Sequence, residues 1–316
     1  MNRTKLAWIT AIIGVAGCGG GGGNGDAGRG DGGLGDAGPP MPPIYYVVSD
    51  INIPPPSMAN EASGYNLDGM ETVADPAATN CVDFAQDFTS LETMEPGVDN
   101  AMAGLMTTLA SFLMCPAGTT PEQCVHDLLL QQIAEGKVLL VAQVTDVNSF
   151  NNDPSVTVQL YRAQVPGCDP AMPATCAPML TAGGTLAPGQ ALVPVPMGAA
   201  LGAPVTGSIV NGRLTVQADV IPLSVGSGGT NITLMVRNAR FGAQITATGL
   251  SAGAIGGSIS VDEVVAIAVA MMLPEATARM LLGSYADLVP SAADPLVCEA
   301  LSAGIHFEAV TANFTP

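Results

Sequence analysis

The stretch VTGSIVNGRLTVQADV, residues 205–220, carries the strongest short-range signal of strand pairing in the chain. Apolar and polar side chains alternate on both sides of Asn211-Gly212. Alternation of period two is typical of strands that bury one face and expose the other. Asn-Gly between two such runs is the strongest short-range signal for a two-residue hairpin turn. The sequence therefore predicts an antiparallel hairpin of Val205–Val210 and Leu214–Val220.

Similar patterns predict strands on both sides of this hairpin. A Pro-rich excursion over residues 166–204, which we expect at the surface, separates the hairpin from the earlier strands. The further strands are Val138–Val144, Val156–Tyr161, Ile232–Val236 and Ala243–Thr248, and Gly304–Glu308 is strand-like. Strands of this kind favour an antiparallel sandwich or a strongly curved sheet.

Two helices are predicted in the middle of the chain and form an αα-hairpin. The first carries apolar residues at helical spacing from Met102 to Leu113, after Asp99, which can cap its first turn. The second follows the capping box Thr120–Gln123, with proline at its first position, and ends at Gly136.

Two more helices are predicted near the C-terminus. Ser260–Glu263 forms a capping box before Val264–Leu273, and Pro274 opens a helix that runs to about Asp287. Because Val264–Leu273 is apolar nearly all round, we expect it to be buried on most sides. The predicted fold class is α+β: a β-rich antiparallel sandwich or curved sheet with a central αα-hairpin and buried C-terminal helices.

The first 18 residues indicate export. Arg3 and Lys5 precede the apolar stretch Leu6–Ala16, which closes on Val15-Ala16-Gly17-Cys18. This resembles a bacterial lipoprotein signal peptide. The resemblance implies cleavage after Gly17 and acylation of Cys18, with palmitate among the acyl chains, and so a lipid anchor in a membrane. The alternative is an ordinary secretory signal with a coincidental cysteine.

Residues 18–43 predict a tether and residues 44–316 a single domain. Glycine dominates the tether, which cannot bury a core. By the lipoprotein resemblance, Gly19 and Gly20 after the acylated position favour the outer membrane, with the domain facing the periplasm or the cell surface. No second low-complexity segment divides the remainder.

The charge is strongly negative, with 27 acidic residues against 9 Lys and Arg and a net charge of −18. Nucleic acid is therefore excluded as an expected partner, because its phosphates would be repelled. From residue 30 to residue 136 there is no Lys or Arg. A solvated acidic face explains this, and binding of divalent cations is the alternative.

Calcium is the cation that the acidic half favours. Residues 64–75 resemble an EF-hand loop, with Asn66, Asp68 and Asp75 at ligand positions and Gly69 at the turn, but Gly64 stands where the first aspartate belongs. We therefore predict a looser calcium site that combines residues of this loop with later carboxylates. Its candidate ligands are Asn66, Asp68, Asp75, Asp83, Asp87 and Asp99, with Asn100 as a further candidate. The alternative is that these residues form turns and helix caps without an ion.

Besides Cys18 the chain holds six cysteines, an even number that predicts disulfides in an exported protein. Six cysteines allow fifteen connectivities. Local spacing favours Cys115 with Cys124 and Cys168 with Cys176, which leaves Cys81 with Cys298. Zinc ligation is the alternative, against which stand the absence of a Cys-x-x-Cys pair and the presence of only two histidines.

The search for catalytic motifs is negative. Gly-x-Ser-x-Gly, His-Glu-x-x-His and a Gly-x-x-x-x-Gly-Lys phosphate loop are absent, and His126 and His306 are expected to be structural or surface residues. The prediction is that the chain is not an enzyme, with no catalytic residues. A hydrolase that uses two carboxylates is the one enzymatic alternative.

The order Asn66–Gly69, Cys81, Gly97–Asn100 and Asn151–Asp153 resembles a group of uncharacterised surface lipoproteins of the myxobacterial type, over residues 60–165. This resemblance implies an exported, lipid-anchored and disulfide-bonded protein and transfers no catalytic residue. We expect an envelope lipoprotein with a non-catalytic structural or binding domain, stabilised by calcium where the acidic site forms. The first alternative is a carrier of an apolar, lipid-like ligand behind Val264–Leu273, and the second is the carboxylate-pair hydrolase. The sequence does not predict which protein or glycan the domain binds.

Overall fold

The computed structural model of the protein describes residues 40–70, 87–109, 118–169, 171–195, 200–227, 230–270, 274–294 and 297–316. The strands are β1 (Ile44–Asn52), β2 (Glu61–Ala62), β3 (Thr89–Ser90), β4 (Leu139–Thr145), β5 (Asp153–Gln164), β6 (Gln190–Pro194), β7 (Val205–Val210), β8 (Arg213–Ser227), β9 (Thr230–Ile245), β10 (Gly249–Ser260), β11 (Leu288–Pro290) and β12 (Cys298–Phe314). The helices are α1 (Ala101–Leu109), α2 (Pro121–Ala134), α3 (Val261–Ala270) and α4 (Glu275–Gly283).

Eight of these strands close into one antiparallel barrel in the order β1-β4-β5-β7-β8-β9-β10-β12, and β12 returns to β1. Closure depends on β12, the 17-residue strand at the end of the chain. It pairs with β1 along one edge, where Ile51 faces Phe307, and with β10 along the other, where Ile255 faces Ile305. Each of the eight strands therefore has a neighbour on both sides, as in any closed barrel.

The predicted fold class is wrong. Of the residues that the structure describes, 46% lie in strands and 17% in helices, and the core is a closed barrel rather than an α+β sandwich or an open curved sheet. The alternation of apolar and polar residues identifies half-buried strands, but it suits a sandwich, an open sheet and a barrel equally well. The barrel is decided by the pairing of β12 with β1, at opposite ends of the described chain.

The inward-facing side chains of the barrel are apolar. Phe241 and Phe307 stack with ring centroids 4.9 Å apart, and Phe307 has no exposed surface. Other buried residues that face inward are Val158, Leu214, Val216, Ala218, Ala239, Leu301 and Ala309. Removal of this surface from water is the main source of stability for the fold.

The hairpin predicted at Asn211-Gly212 is confirmed. Val210 pairs with Arg213, and both turn residues have positive φ, 51° and 79°, as a type I′ turn requires. The two strands predicted at Ile232–Val236 and Ala243–Thr248 belong instead to one strand, β9, apart from the last residues of the second. Within β9, Asn238 also has positive φ, and it lies where the register with β10 shifts.

The two central helices are confirmed over their described residues. The predicted cap of α2 is present, because Thr120 accepts a hydrogen bond from the Gln123 amide at 3.2 Å and proline follows it. The cap of α1 differs from the prediction. Asn100, and not Asp99, accepts the hydrogen bond from the Ala103 amide, at 3.1 Å. The second half of the predicted first helix, residues 110–113, lies outside the described residues.

The second C-terminal helix is shorter than predicted, and the first is more exposed over its described residues. α4 ends at Gly283, and β11 follows where the helix was expected to end. In α3, Val265 is 3% exposed, but Val269 is 41% exposed. The prediction of burial on most sides is wrong for the described part of α3, because Ala266 and Val269 face solvent, whereas residues 271–273 lie outside the described residues.

The disulfide between Cys168 and Cys176 is present as predicted, with Cα atoms 4.3 Å apart. It closes a short loop in the Pro-rich excursion. Cys124 and Cys298 are also disulfide-bonded. Their predicted partners, Cys115 and Cys81, lie outside the described residues, so those two pairings stay predictions.

Among the described helices, none is both long enough and apolar enough to cross a membrane.

Candidate functional site

A covering segment, residues 53–70 and 87–100, lies against the outer face of the barrel. Asn100 fixes it to β12: its side-chain amide donates to the Ser63 carbonyl at 2.8 Å and the Gly304 carbonyl at 3.2 Å, and its oxygen accepts from the Gly304 amide. A Cβ atom at position 304 would lie 2.0 Å from the Ser63 carbonyl oxygen. Glycine at this position therefore allows the covering segment to touch the strand.

An aspartate cluster consists of Asp68, Asp87 and Asp99 of this segment together with Asp287, which precedes β11. Asp99 is 3% exposed and accepts a hydrogen bond from the Leu67 amide at 2.6 Å. Burial, together with the negative charges of the other three aspartates, raises the pKa of Asp99 to about 8, although the Leu67 hydrogen bond opposes this. Asp99 is therefore protonated near neutral pH unless a cation offsets the repulsion.

Asp287 joins the cluster from the C-terminal part of the chain. Its carboxylate accepts hydrogen bonds from the amide of Ser302, at 2.7 Å, and from the Ser302 hydroxyl. Burial raises the pKa of Asp287 to about 7, the Ser302 hydrogen bonds lower it, and Asp68 adds a smaller increase. No sequence pattern connects Asp287 with the other aspartates, because it lies more than 180 positions from Asp99.

The predicted calcium ligands are only partly brought together. Asp68, Asp87 and Asp99 share the cluster, whereas Asp75 and Asp83 lie outside the described residues. Asn66 closes a turn, since its oxygen accepts from the Gly69 amide at 2.6 Å and its amide donates to the Met70 carbonyl. Asp68 accepts from the Met70 amide at 2.7 Å. These are the turn contacts of the alternative interpretation. Within the described part of the chain, no three His, Cys, Asp or Glu side chains are arranged to hold a metal ion.

Both histidines lie on the outside of the barrel, in a histidine–carboxylate row made of His126, Asp50, Glu308, His306 and Glu92. His126 of α2 contacts the Asp50 carboxylate of β1 at 2.7 Å. Asp50 pairs across the strands with Glu308. His306 contacts Glu92 at 3.1 Å through Nδ1 and Glu308 at 3.9 Å through Nε2. The row therefore links α2, β1, β12 and the covering segment.

Glu92 is the buried end of this row, with a side chain that is 1% exposed. It accepts hydrogen bonds from the hydroxyls of Ser63, at 2.6 Å, and Ser90, at 3.2 Å. Its hydrogen bond is the largest cause of the raised pKa of His306, which burial opposes. The Ser63 hydroxyl donates to this carboxylate and not to a histidine nitrogen. The geometry fits the structural role predicted for His306.

The barrel interior holds one described cavity of note, and it is small. Its volume is about 30 Å³, and its lining is apolar: Val158, Leu160, Leu201, Ala203, Val205, Val216, Ala218, Ala239 and Phe241. That volume suits one or two waters, whereas a cavity that accepts benzene measures about 150 Å³. The cavity lies between β5, β7, β8 and β9, and not behind α3, where a lipid-like ligand was expected.

Several residues of this surface escaped the sequence-based prediction. Asp50 lies in the polar second half of a strand that begins apolar, and Ser302, Gly304 and Glu308 alternate with apolar residues along β12. Both patterns are signals of an outward face, but neither says that a segment covers it. Cys18, the predicted lipidation residue, lies outside the described residues. The chain matches no known family model, no curated protein and no solved structure.

Proposed function

We propose that this chain is an exported, lipid-anchored protein of the cell envelope whose barrel domain has a non-catalytic role in structure or binding. The observation that supports this role is the packed barrel: among the described residues, apolar side chains occupy the interior, and the cavity between β5, β7, β8 and β9 measures only about 30 Å³. A partner is then bound at the outer surface. The basic and apolar leader that ends at Cys18 supports the anchor.

The anchor is tested by expressing the full chain in a bacterial host fed with an alkyne-labelled fatty acid. The wild-type protein should be labelled and recovered with membranes. Cys18→Ala should be unlabelled, whereas Cys176→Ala, which removes a cysteine of the folded domain, should keep the label. An unlabelled wild-type protein would contradict the lipid anchor and leave an ordinary secretory signal.

The role of the domain is tested with an apolar fluorescent probe added to the purified protein. A filled interior predicts no saturable binding, since entry of the probe would require the barrel strands to part. Ala239→Leu places more side chain in the small cavity and is the diagnostic variant. Saturable binding to the wild type that Ala239→Leu abolishes would support the apolar-ligand alternative instead.

Calcium stabilisation of the domain is a second proposal, favoured by one observation: Asp99, which is 3% exposed, lies within electrostatic range of Asp68, Asp287 and Asp87, of which Asp87 is 2% exposed. Buried like charges repel strongly unless they are protonated or offset by a cation. Calcium prefers carboxylate and amide oxygens, and Asp75 and Asp83 are the candidates to complete its coordination.

Calorimetry with calcium on the wild type, Asp68→Ala and Asp99→Ala tests this second proposal. Binding in the micromolar to millimolar range that both variants lose would support it. Asp146→Ala is the control, because Asp146 lies in the exposed loop after β4. Absence of binding would leave the aspartates as turn residues and protonated acids.

A further inference from the structure

Tyr65 of the covering segment occupies a recess that two glycines create on the outer face of the barrel. A Cβ atom at Gly242 of β9 would lie 2.6 Å from the Tyr65 hydroxyl oxygen. A Cβ atom at Gly256 of β10 would lie 2.8 Å from the ring. The hydroxyl donates to the Ala254 carbonyl at 3.2 Å. The Tyr65 ring is thus fixed in place, and its hydroxyl proton is already engaged in the hydrogen bond to Ala254.

Two arginines lie beside this tyrosine with buried donors that have no partner. Arg213 of β8 reaches across β9, and its Nη1 donates to the Ala252 carbonyl of β10 at 3.2 Å. Arg213 also interacts with the Tyr65 hydroxyl, but its Nη2 is buried without a partner of ordinary hydrogen-bond geometry, and the Nε of Arg240 on β9 is likewise buried without a partner. Burial raises the pKa of the Tyr65 hydroxyl to about 12, and the positive charges of both guanidinium groups oppose this increase. A buried N–H without a partner destabilises the fold, and more so when the group is charged.

The lack of a carboxylate beside these donors is unexpected in this chain, which has three acids for every base. Two other described arginines form ion pairs with carboxylates: Arg237 contacts Glu263 at 3.0 Å, and Arg279 contacts Asp262 at 2.6 Å. Two carboxylates near the recess have other partners. Glu92 accepts from Ser63, Ser90 and His306, and Glu308 accepts from the Ala252 amide.

We propose that Arg213, Arg240 and Tyr65 form a binding site for a small oxyanion. The site lies between the covering segment and the barrel. The unpartnered Nη2 and Nε atoms supply donors, and a carboxylate or phosphate group supplies the acceptors and the negative charge that the recess lacks. Guanidinium groups suit such ligands because their donors form a rigid fork that matches two oxygens. The carboxylate of an organic acid or peptide and a phosphoryl group share this chemistry.

The test is calorimetry and thermal denaturation of the purified protein with phosphate, sulfate or acetate added to a chloride buffer. We expect saturable binding of at least one oxyanion and a rise in Tm with its concentration, since a ligand that binds only the folded state stabilises it. Affinity should fall at least tenfold in Arg213→Gln and in Arg240→Gln, which corresponds to about 1.4 kcal/mol. The control is Arg162→Gln, which removes the same charge from an exposed position on β5 and should bind like the wild type.

The comparison of phosphate and sulfate with acetate separates the two ligand sources: preference for the first pair indicates a phosphoryl group, and preference for acetate indicates a carboxylate. If the glutamine variants fail to fold, Arg240→Lys decides the question, because it keeps the charge but removes Nε and should still bind more weakly. Failure of all three anions to bind the wild type, or equal binding by the wild type and Arg240→Lys, would overturn the proposal. The outcome is independent of the lipid anchor.

Discussion

The inner and outer faces of the barrel strands carry opposite kinds of interaction. On β12, Phe307 and Ala309 face inward among apolar residues, whereas Gly304, His306 and Glu308 face outward beneath the covering segment or beside α2. The inner face is stabilised by packing, which depends on volume and hardly on pH. The outer face is stabilised by directed hydrogen bonds between charged and polar groups, several of them buried.

This difference shows that several outward-facing residues of the barrel are buried and are not exposed to solvent. Asp99, Asn100, Ser63 and Ser302 are each at most 3% exposed although none belongs to the barrel interior. Buried polar groups of this kind require partners, so the outer face specifies where the covering segment lies. We therefore expect inner-face variants to lose stability at every pH and outer-face variants to change its pH dependence.

The largest effect is expected for Phe307→Ala in the interior. Phe307 has no exposed surface and stacks on Phe241, so truncation removes a large apolar contact and leaves a cavity. The free energy of unfolding should fall by about 3–5 kcal/mol. Urea denaturation at two pH values measures this, with Met280→Ala on the 73% exposed residue of α4 as the control. A loss equal to that of the control would contradict the assignment of Phe307 to a packed interior.

The sequence predicted local elements well and their assembly poorly. The Asn211-Gly212 hairpin and the Thr120 cap depend on neighbouring residues, so they are visible in a short window. Barrel closure was missed because it depends on β12 meeting β1 across nearly the whole domain. β10 was missed because its sequence, GLSAGAIGGSIS, is rich in Gly and Ser. At Gly256 and Gly257, neighbouring groups approach the backbone so closely that a Cβ atom would clash with them, and the sequence alone does not show this.

The candidate sites were predictable to a similar extent. Asp68, Asp87 and Asp99 were singled out as acids near one another in sequence, and they do converge. Asp287 could not be added, because its place in the cluster depends on the fold of the C-terminal part. The same holds for Arg213 and Arg240, which approach Tyr65 only because the covering segment crosses β9 and β10.

A smaller effect is expected for Gly304→Ala on the outer face. The added Cβ would lie 2.0 Å from the Ser63 carbonyl, so either the covering segment or β12 must shift. The expected loss is about 1–3 kcal/mol of unfolding free energy. Gly283→Ala is the matched control, since nothing lies within 4 Å of its Cβ position and alanine should be neutral or slightly stabilising there. Similar results for both variants in a urea titration would mean that the covering segment does not depend on contact with Gly304.

The aspartate cluster should make stability fall as pH rises. The pKa of Asp99 is about 8 in the folded protein against an ordinary value of 3.8, so between these values the folded state holds a proton that the unfolded state has released. Asp99→Asn keeps an acceptor for Leu67 and should be more stable than the wild type at pH 8 by on the order of 1 kcal/mol. Denaturation at pH 5 and pH 8 in the presence of a chelator measures the change. A wild-type protein whose stability rises over this range would refute the burial of an acid at this place.

The smallest effect is expected for His306→Gln, in the histidine–carboxylate row. The hydrogen bond to Glu92 raises the pKa of His306, so the stability that the charged ring contributes is complete below the ordinary value of 6.5 and is lost as pH rises through the folded pKa. Glutamine can still donate to Glu92 but carries no charge. The variant should therefore lose about 1 kcal/mol at pH 5 and less at pH 8, measured by the same denaturation experiments. Equal losses at both pH values would mean that His306 acts through packing, which would make this part of the outer face resemble the interior.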